Sequence, residues 1–163
     1  MEAAALAFGL PADARLVPPE NYHLTIAFAG EVSNPRAAAL RSVGAAVRSA
    51  AFEICFDVCE HWVNSAVIVA VASERPAALV ELHRLLRLQF ERLGLAVDPH
   101  PFRPHVTLAR KVAQAPLVKA MPESSWTVRA FQLVRSVRSA EGSVYTVVDQ
   151  WELLDNGARA LKS

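Results

Sequence analysis

Two short stretches of this chain carry the same pattern, His-apolar-Thr-apolar: His23-Leu24-Thr25-Ile26 and His105-Val106-Thr107-Leu108. The second copy begins about half a chain length after the first. With five His and four Thr in 163 residues, chance would place a Thr two positions after a His only about 0.1 times. In a β-strand, residues i and i+2 point to the same face. Each motif therefore predicts a strand with an imidazole and a hydroxyl side by side, above a Leu/Ile or Val/Leu pair that faces the core. A fold that contains both must present two such polar ledges on buried strands, in corresponding halves of the chain.

The rest of the chain fits around that demand. Met1 to Leu10 reads as a short Ala-rich, helix-prone segment closed by Gly9 and Pro11. Pro18-Pro19-Glu20-Asn21 predicts a turn leading into the first motif strand, Tyr22 to Ala29, which Gly30-Glu31 ends. Asn34-Pro35 reads as N-cap and first helical residue. Leu40, Val43 and Val47 then mark the apolar stripe of a helix ending near Ala50. Phe52 to Cys59 and Ala66 to Ala72 are strand-like, the second a continuous apolar run of the kind buried on both faces. Arg75-Pro76 opens a long helix to Leu93, with Leu79, Leu82, Leu86 and Leu93 inward and Gly94 as its stop. A stiff loop with Pro99, Pro101 and Pro104 delivers the second motif strand, Val106 to Val112. A linker broken by Pro116 and Pro122 precedes strands Thr127 to Arg135 and Val144 to Leu153, joined by the turn Ala140-Glu141-Gly142-Ser143. Strands joined by short turns point to antiparallel sheets and an α+β fold.

Composition narrows the function classes. At 53% hydrophobic and 20% charged residues the chain can bury a core, and its length suits one domain, residues 1–163, built from two similar lobes. A formal net charge of +1 is too small for a generic nucleic-acid coat, so an anionic substrate must be held by local cations. Cys55 and Cys59 are poorly spaced for a disulfide within one strand and read as reduced thiols. No stretch is long enough to span a bilayer, and the N-terminus lacks the basic region of a secretory signal. The cytoplasm follows as the default compartment.

Two imidazoles that titrate near neutral pH can serve as a proton donor and a proton acceptor. Two Thr hydroxyls can donate to the non-bridging oxygens of a phosphate. Phosphodiester chemistry suits this set, because its charge sits on those oxygens. No carboxylate cluster or Cys/His ligand set accompanies the motifs, so the sequence requires neither metal nor cofactor. A lone His-x-Thr would more simply be a surface pair or a satisfied core histidine. The duplication in matching strand contexts favours function.

Asn21-Tyr22-His23-Leu24-Thr25-Ile26-Ala27-Phe28 and Phe102-Arg103-Pro104-His105-Val106-Thr107-Leu108-Ala109-Arg110 resemble the two signature motifs of the two-histidine phosphoesterase superfamily. Val17-Pro18-Pro19-Glu20-Asn21 and Leu133-Val134-Arg135-Ser136 add to a resemblance to its RNA 2′,3′-cyclic phosphodiesterase branch, also called the 2′-5′ RNA ligase or LigT-like family. The resemblance implies a bilobal fold of two antiparallel sheets with flanking helices, related by a pseudo-two-fold, with the histidines facing each other across a central cleft. It also implies hydrolysis of RNA or nucleoside 2′,3′-cyclic phosphates to 2′-phosphates without metal. His23 would be the general acid and His105 the general base, or the reverse, and Thr25 and Thr107 would bind the phosphate.

Arg110 lies on the face opposite His105 if its strand is regular, so it is either a phosphate contact or a solvated strand-end charge. Arg103 stands similarly, and Arg135 is a weaker candidate. Tyr22, Phe28 and Trp62 could stack on a base or ribose, although Phe28 shares a face with Leu24 and Ile26 and reads better as core. His83 reads as a helix-surface residue, and His61 and His100 as loop residues.

Two departures from the family pattern stand out. The family's usual first apolar strand does not precede this segment, so either the start codon is misassigned or the remaining sheet has an unprotected edge through which a second copy could pair. At His61-Trp62-Val63-Asn64 the aromatic is not followed by a basic or proline residue, so fewer cations are expected at the site. The alternative to an enzyme is a catalytically weak nucleotide- or RNA-binding module of the same fold.

Overall fold

The segment Val67–Val71 is apolar at every position, which suits a strand covered on both faces, and all five residues are buried. It is the middle strand of a five-stranded sheet in the computed structural model, which describes residues 14–114, 119–138 and 143–155. In chain order the elements are β1 (Arg15–Leu16), α1 (Asn34–Ala46), β2 (Phe52–Trp62), β3 (Val67–Val71), α2 (Ala77–Arg92), β4 (His105–Arg110), β5 (Lys119–Val128), β6 (Ala130–Arg138) and β7 (Ser143–Glu152). One sheet runs β1-β4-β3-β2-β5 and the other pairs β6 with β7. The pairs β1·β4, β2·β3, β3·β4 and β6·β7 are antiparallel. This is the α+β fold with two antiparallel sheets and flanking helices that the sequence predicts.

The chain divides into two compact units. The first comprises the described parts of Met1–Thr25, Ile54–Arg75 and Arg103–Trp126. Its core is made by Ile54, Phe56, Cys59, Ile68, Val69, Val106 and Leu108, each almost fully buried. Cys55 and Cys59 are free thiols, and burial pushes the Cys59 thiol up to about 11, so it stays protonated.

The second unit comprises Ile26–Glu53, Pro76–Phe102 and the described part of Thr127–Ser163. Leu79, Leu82, Leu86 and Phe90 are buried along α2, at the spacing of one helix face. Phe90, rather than the predicted Leu93, completes that stripe. Gly94 has a φ of +67°, a backbone conformation that suits the residue just past a helix end. In α1, Gly44 lies against Trp151, where a Cβ would come within 2.4 Å of the indole. The helix starts at Asn34 with Ser33 as its N-cap, one residue earlier than predicted, and ends at Ala46.

Two sequence expectations fail here for physical reasons. Tyr22 to Ala29 is not a continuous strand. Leu24 makes an isolated bridge to Val106; β1 occupies the Leu108–Arg110 end of that edge of β4, and residues after Thr25 lie beyond its His105 end. The region around Pro122 is part of β5 rather than a linker. β5 is the outermost strand of its sheet, where a missing backbone N–H is tolerated. The segment Met1 to Leu10, Pro116 and the turn residues Ala140-Glu141-Gly142 lie outside the described residues.

Candidate active site

Strand β4 separates its side chains cleanly at first. Pro104, Val106 and Leu108 are buried, while His105 and Thr107 are half-buried on the other face. Val71 pairs with His105 and Val69 with Thr107, but Ile68 pairs with Ala109 and Val67 with Arg110. One extra residue on β4 therefore opposes β3 between these pairs, a β-bulge. Val67, Val69 and Val71 share a face of β3, so their partners Arg110, Thr107 and His105 share that face too. The bulge corrects the expectation that Arg110 points away from His105. It places an exposed guanidinium on the imidazole's side of the sheet, close enough for its charge to act on His105.

The first motif reaches the same face from the other edge of β4. A 3-10 turn at Pro19–Asn21 leads to the antiparallel bridge Leu24–Val106. That bridge sets His23 opposite Thr107 and Thr25 opposite His105 in register. The two ledges thus lie side by side on adjacent segments within the first unit, where the sequence predicted them to face each other across a cleft. His23 and Thr25 are exposed, and the charge of His23 also acts on His105.

Each imidazole is oriented in the same way. His23 donates Nδ1–H to the Asn21 carbonyl at 2.7 Å, and His105 donates Nδ1–H to the Arg103 carbonyl at 2.9 Å. A carbonyl only accepts, so in the neutral ring Nδ1 carries the proton and Nε2 presents a lone pair. In the protonated ring Nε2 becomes a donor. The pKa of His105 is lowered below the ordinary histidine value, first by burial and then by the positive charges of His23, Arg103 and Arg110, against the raising effect of its bond to the Arg103 carbonyl.

Around His105 the sheet carries a cluster in which the sequence reading missed one member, Glu60. Its carboxylate forms an ion pair with Arg103 and accepts Trp62 Nε1–H at 2.9 Å. The Trp62 ring packs 4.4 Å from the His105 ring between centroids. Arg103 is thus already paired with a carboxylate. Glu60 and Trp62 are two apart on the face of β2 that meets Val69 and Val67. That alternation was legible only if the strand ran past Cys59, where the sequence reading ended it.

The other candidates fall elsewhere. Tyr22 is half-buried beside His23. Phe28 is 74% exposed, not core, because the backbone after Leu24 leaves the sheet. Arg135 is an exposed residue of β6 in the second unit. His61 lies in β2 rather than a loop and donates Nε2–H to the Val112 carbonyl at 2.7 Å. His83 is not a free surface residue: its Nδ1–H reaches the Ile26 carbonyl at 2.7 Å, and its ring stacks on Phe102 at 4.0 Å and 5°. His100 is exposed and pairs with Asp98. Among the described residues, no group of three or more His, Cys, Asp or Glu is placed to hold a metal ion. No helix among them is long and apolar enough to cross a membrane.

Residues 2–140 match the family described as the 2′-5′ RNA ligase superfamily. The chain belongs to that superfamily. It is 32% identical over 145 residues to the RNA 2′,3′-cyclic phosphodiesterase of Escherichia coli, covering 88% of this chain and 82% of that one. It is 30% identical over 156 residues to the RNA 2′,3′-cyclic phosphodiesterase of Thermus thermophilus, covering 84% and 74% of the two chains. Among solved structures, E. coli LigT complexed with NADP+ superposes with a TM-score of 0.82 at 30% identity, over 93% of this chain and 87% of that one. LigT complexed with 3′-AMP gives 0.81 at 31% identity, over 91% and 86%. Superfamily membership accords with both the doubled motif and the fold.

Proposed function

We propose that this protein hydrolyses RNA or nucleoside 2′,3′-cyclic phosphates to 2′-phosphates by acid–base catalysis between His23 and His105, without a metal. The carrying observation is the matched pair of imidazoles on one sheet face, each with Nδ1–H held by the carbonyl two residues before it. The relatives named as RNA 2′,3′-cyclic phosphodiesterases support the reaction class, and LigT complexed with 3′-AMP supports a nucleotide-shaped substrate.

The electrostatics favour one assignment of roles. A general base must be unprotonated at working pH, and burial with nearby cations keeps His105 in that form. In the proposed step, His105 Nε2 takes a proton from water as its oxygen bonds to phosphorus. The bond from phosphorus to the 3′ oxygen breaks, and protonated His23 gives its Nε2 proton to that leaving oxygen. The product carries a 2′-phosphate and a 3′-hydroxyl, and solvent resets both rings. Thr25, Thr107 and Arg110 donate to the non-bridging oxygens, whose charge is held through the transition state. Tyr22 and Trp62 offer rings to the base or ribose.

The deciding experiment is incubation with a nucleoside 2′,3′-cyclic phosphate, with and without EDTA, and identification of the product by phosphorus NMR. A 2′-phosphate formed at equal rates under both conditions supports the reading. A 3′-phosphate product, or loss of activity on chelation, refutes the step as written. Nucleotide-induced stabilisation without any ring opening would favour the binding module instead.

A further inference from the structure

The groups around His105 close into a circuit. One carboxylate oxygen of Glu60 pairs with the Arg103 guanidinium, and the other accepts Trp62 Nε1–H. The same guanidinium stands 5.7 Å over the Trp62 ring. Arg103 then supplies the carbonyl that accepts His105 Nδ1–H, and Trp62 supplies the ring packed against the imidazole, tilted at 54°. Two routes, joined where the guanidinium meets the indole, therefore lead from one carboxylate to one histidine. The first reaches the acceptor that selects its tautomer, and the second reaches the surface that limits its rotation.

The Glu60 side chain is only 15% exposed. A carboxylate withdrawn from water is costly unless it is paired and hydrogen-bonded, and here both oxygens are used. Arg103 is the residue two before the histidine, so anchoring its side chain on β2 also restrains the peptide whose carbonyl orients the ring. Arg103, open in sequence between a phosphate contact and a solvated charge, is thus ion-paired with Glu60.

We propose that Glu60 is a positioning residue for His105. By holding Arg103 and Trp62 together, it keeps the imidazole with Nδ1–H on the Arg103 carbonyl and Nε2 turned to the reacting phosphate. This rests on the acid–base reading above, and its test has an arm that does not need activity. In Glu60→Gln the side-chain volume and one acceptor remain, but the charge that holds Arg103 is gone.

Long-range proton–nitrogen NMR spectra of the full chain, at a pH where His105 is neutral, read its tautomer directly. The expected result is one tautomer at His105 in the unaltered protein, a mixture of two in Glu60→Gln, and an unchanged pattern at His23. On a nucleoside 2′,3′-cyclic phosphate, kcat should fall about tenfold with little change in KM, the equivalent of one hydrogen bond to a charged group. Adding Glu60→Gln to an Arg103→Gln background should change kcat by less than about twofold, since residues acting in one network are not additive. A single His105 tautomer in Glu60→Gln overturns the proposal, even if the melting temperature drops. So do fully additive losses in the double variant. If the unaltered protein opens no cyclic phosphate, the proposed function fails, and the tautomer spectra still decide the role of Glu60.

Discussion

His23 and His105 make the same backbone hydrogen bond from different depths. His105 sits half-buried on a strand whose inward residues Val106 and Leu108 are fully covered and whose ladder to β3 is continuous on both sides of a bulge. His23 is exposed, on a segment joined to the sheet through one isolated bridge at the half-buried Leu24. What the two share is local: a peptide carbonyl two residues upstream that fixes Nδ1. The local hydrogen bond of each ring thus comes from its own short loop, and at His105 the Trp62 ring of β2 packs against it as well. His105 is the deeper ring, and burial with neighbouring positive charge lowers its pKa. A matched pair in sequence thus sits in two unequal settings, one exposed and one half-buried.

The largest test of that inequality is loss of function at both positions. His105→Ala and His23→Ala should each lower kcat/KM by about 10²- to 10⁴-fold, the usual range for a general acid or base. A His23→Ala variant that keeps more than a tenth of its turnover would leave the first motif without a proton-transfer role. The mechanical half of the comparison is read by urea unfolding. Leu108→Ala should cost about 2–5 kcal/mol, as for fully buried leucines. Leu24→Ala, from a half-buried site, should cost less than half as much, and equal losses would mean that the first motif is anchored as firmly as the second.

Thr25→Val and Thr107→Val should each reduce kcat/KM by about ten- to a hundredfold, the loss of one hydrogen bond to a charged oxygen. A deficit confined to one of them would show that the phosphate leans on a single ledge. The smallest effect is on pH dependence. Because the His105 pKa is lowered, its neutral form persists as pH falls through the ordinary histidine range near 6.5. The acid limb of kcat/KM should therefore lie below that value. Arg110→Gln removes a cation that holds this pKa down, so the limb should move to higher pH. A limb that stays in place would exclude Arg110 as a charge that tunes the base.

Much of this was legible beforehand, because the signals were local. The doubled motif, the uninterrupted apolar run of β3 and the stripe of α2 each follow from short-range periodicity. The missing pieces depended on pairing. Nothing in Thr107-Leu108-Ala109-Arg110 announces a bulge, which exists only against Ile68 and Val69. The ion pair of Glu60 needs Arg103, a partner far away in sequence. Periodicity extends the first motif strand to Ala29 because it carries no information about where its partner β4 begins, at His105. His83 looked like a surface residue because its partners, the Ile26 carbonyl and Phe102, come from two distant segments.

The bulge in β4 has a consequence for how related chains are compared. Strict alternation would give odd positions to one surface and even positions to the other, and the extra residue changes that parity partway along the strand. An imidazole, a hydroxyl and a guanidinium can then occupy one surface at positions 105, 107 and 110, a set that no regular strand could present together. A relative whose strand lacks the bulge would reach the same surface with a cation two places after its threonine. Matched letter by letter, that cation would fall in the column of Ala109, and Arg110 would stand against a residue turned to the core. Two chains with the same chemistry on one face would then look unrelated at the position that supplies the charge, unless the comparison opens a one-residue gap inside the strand.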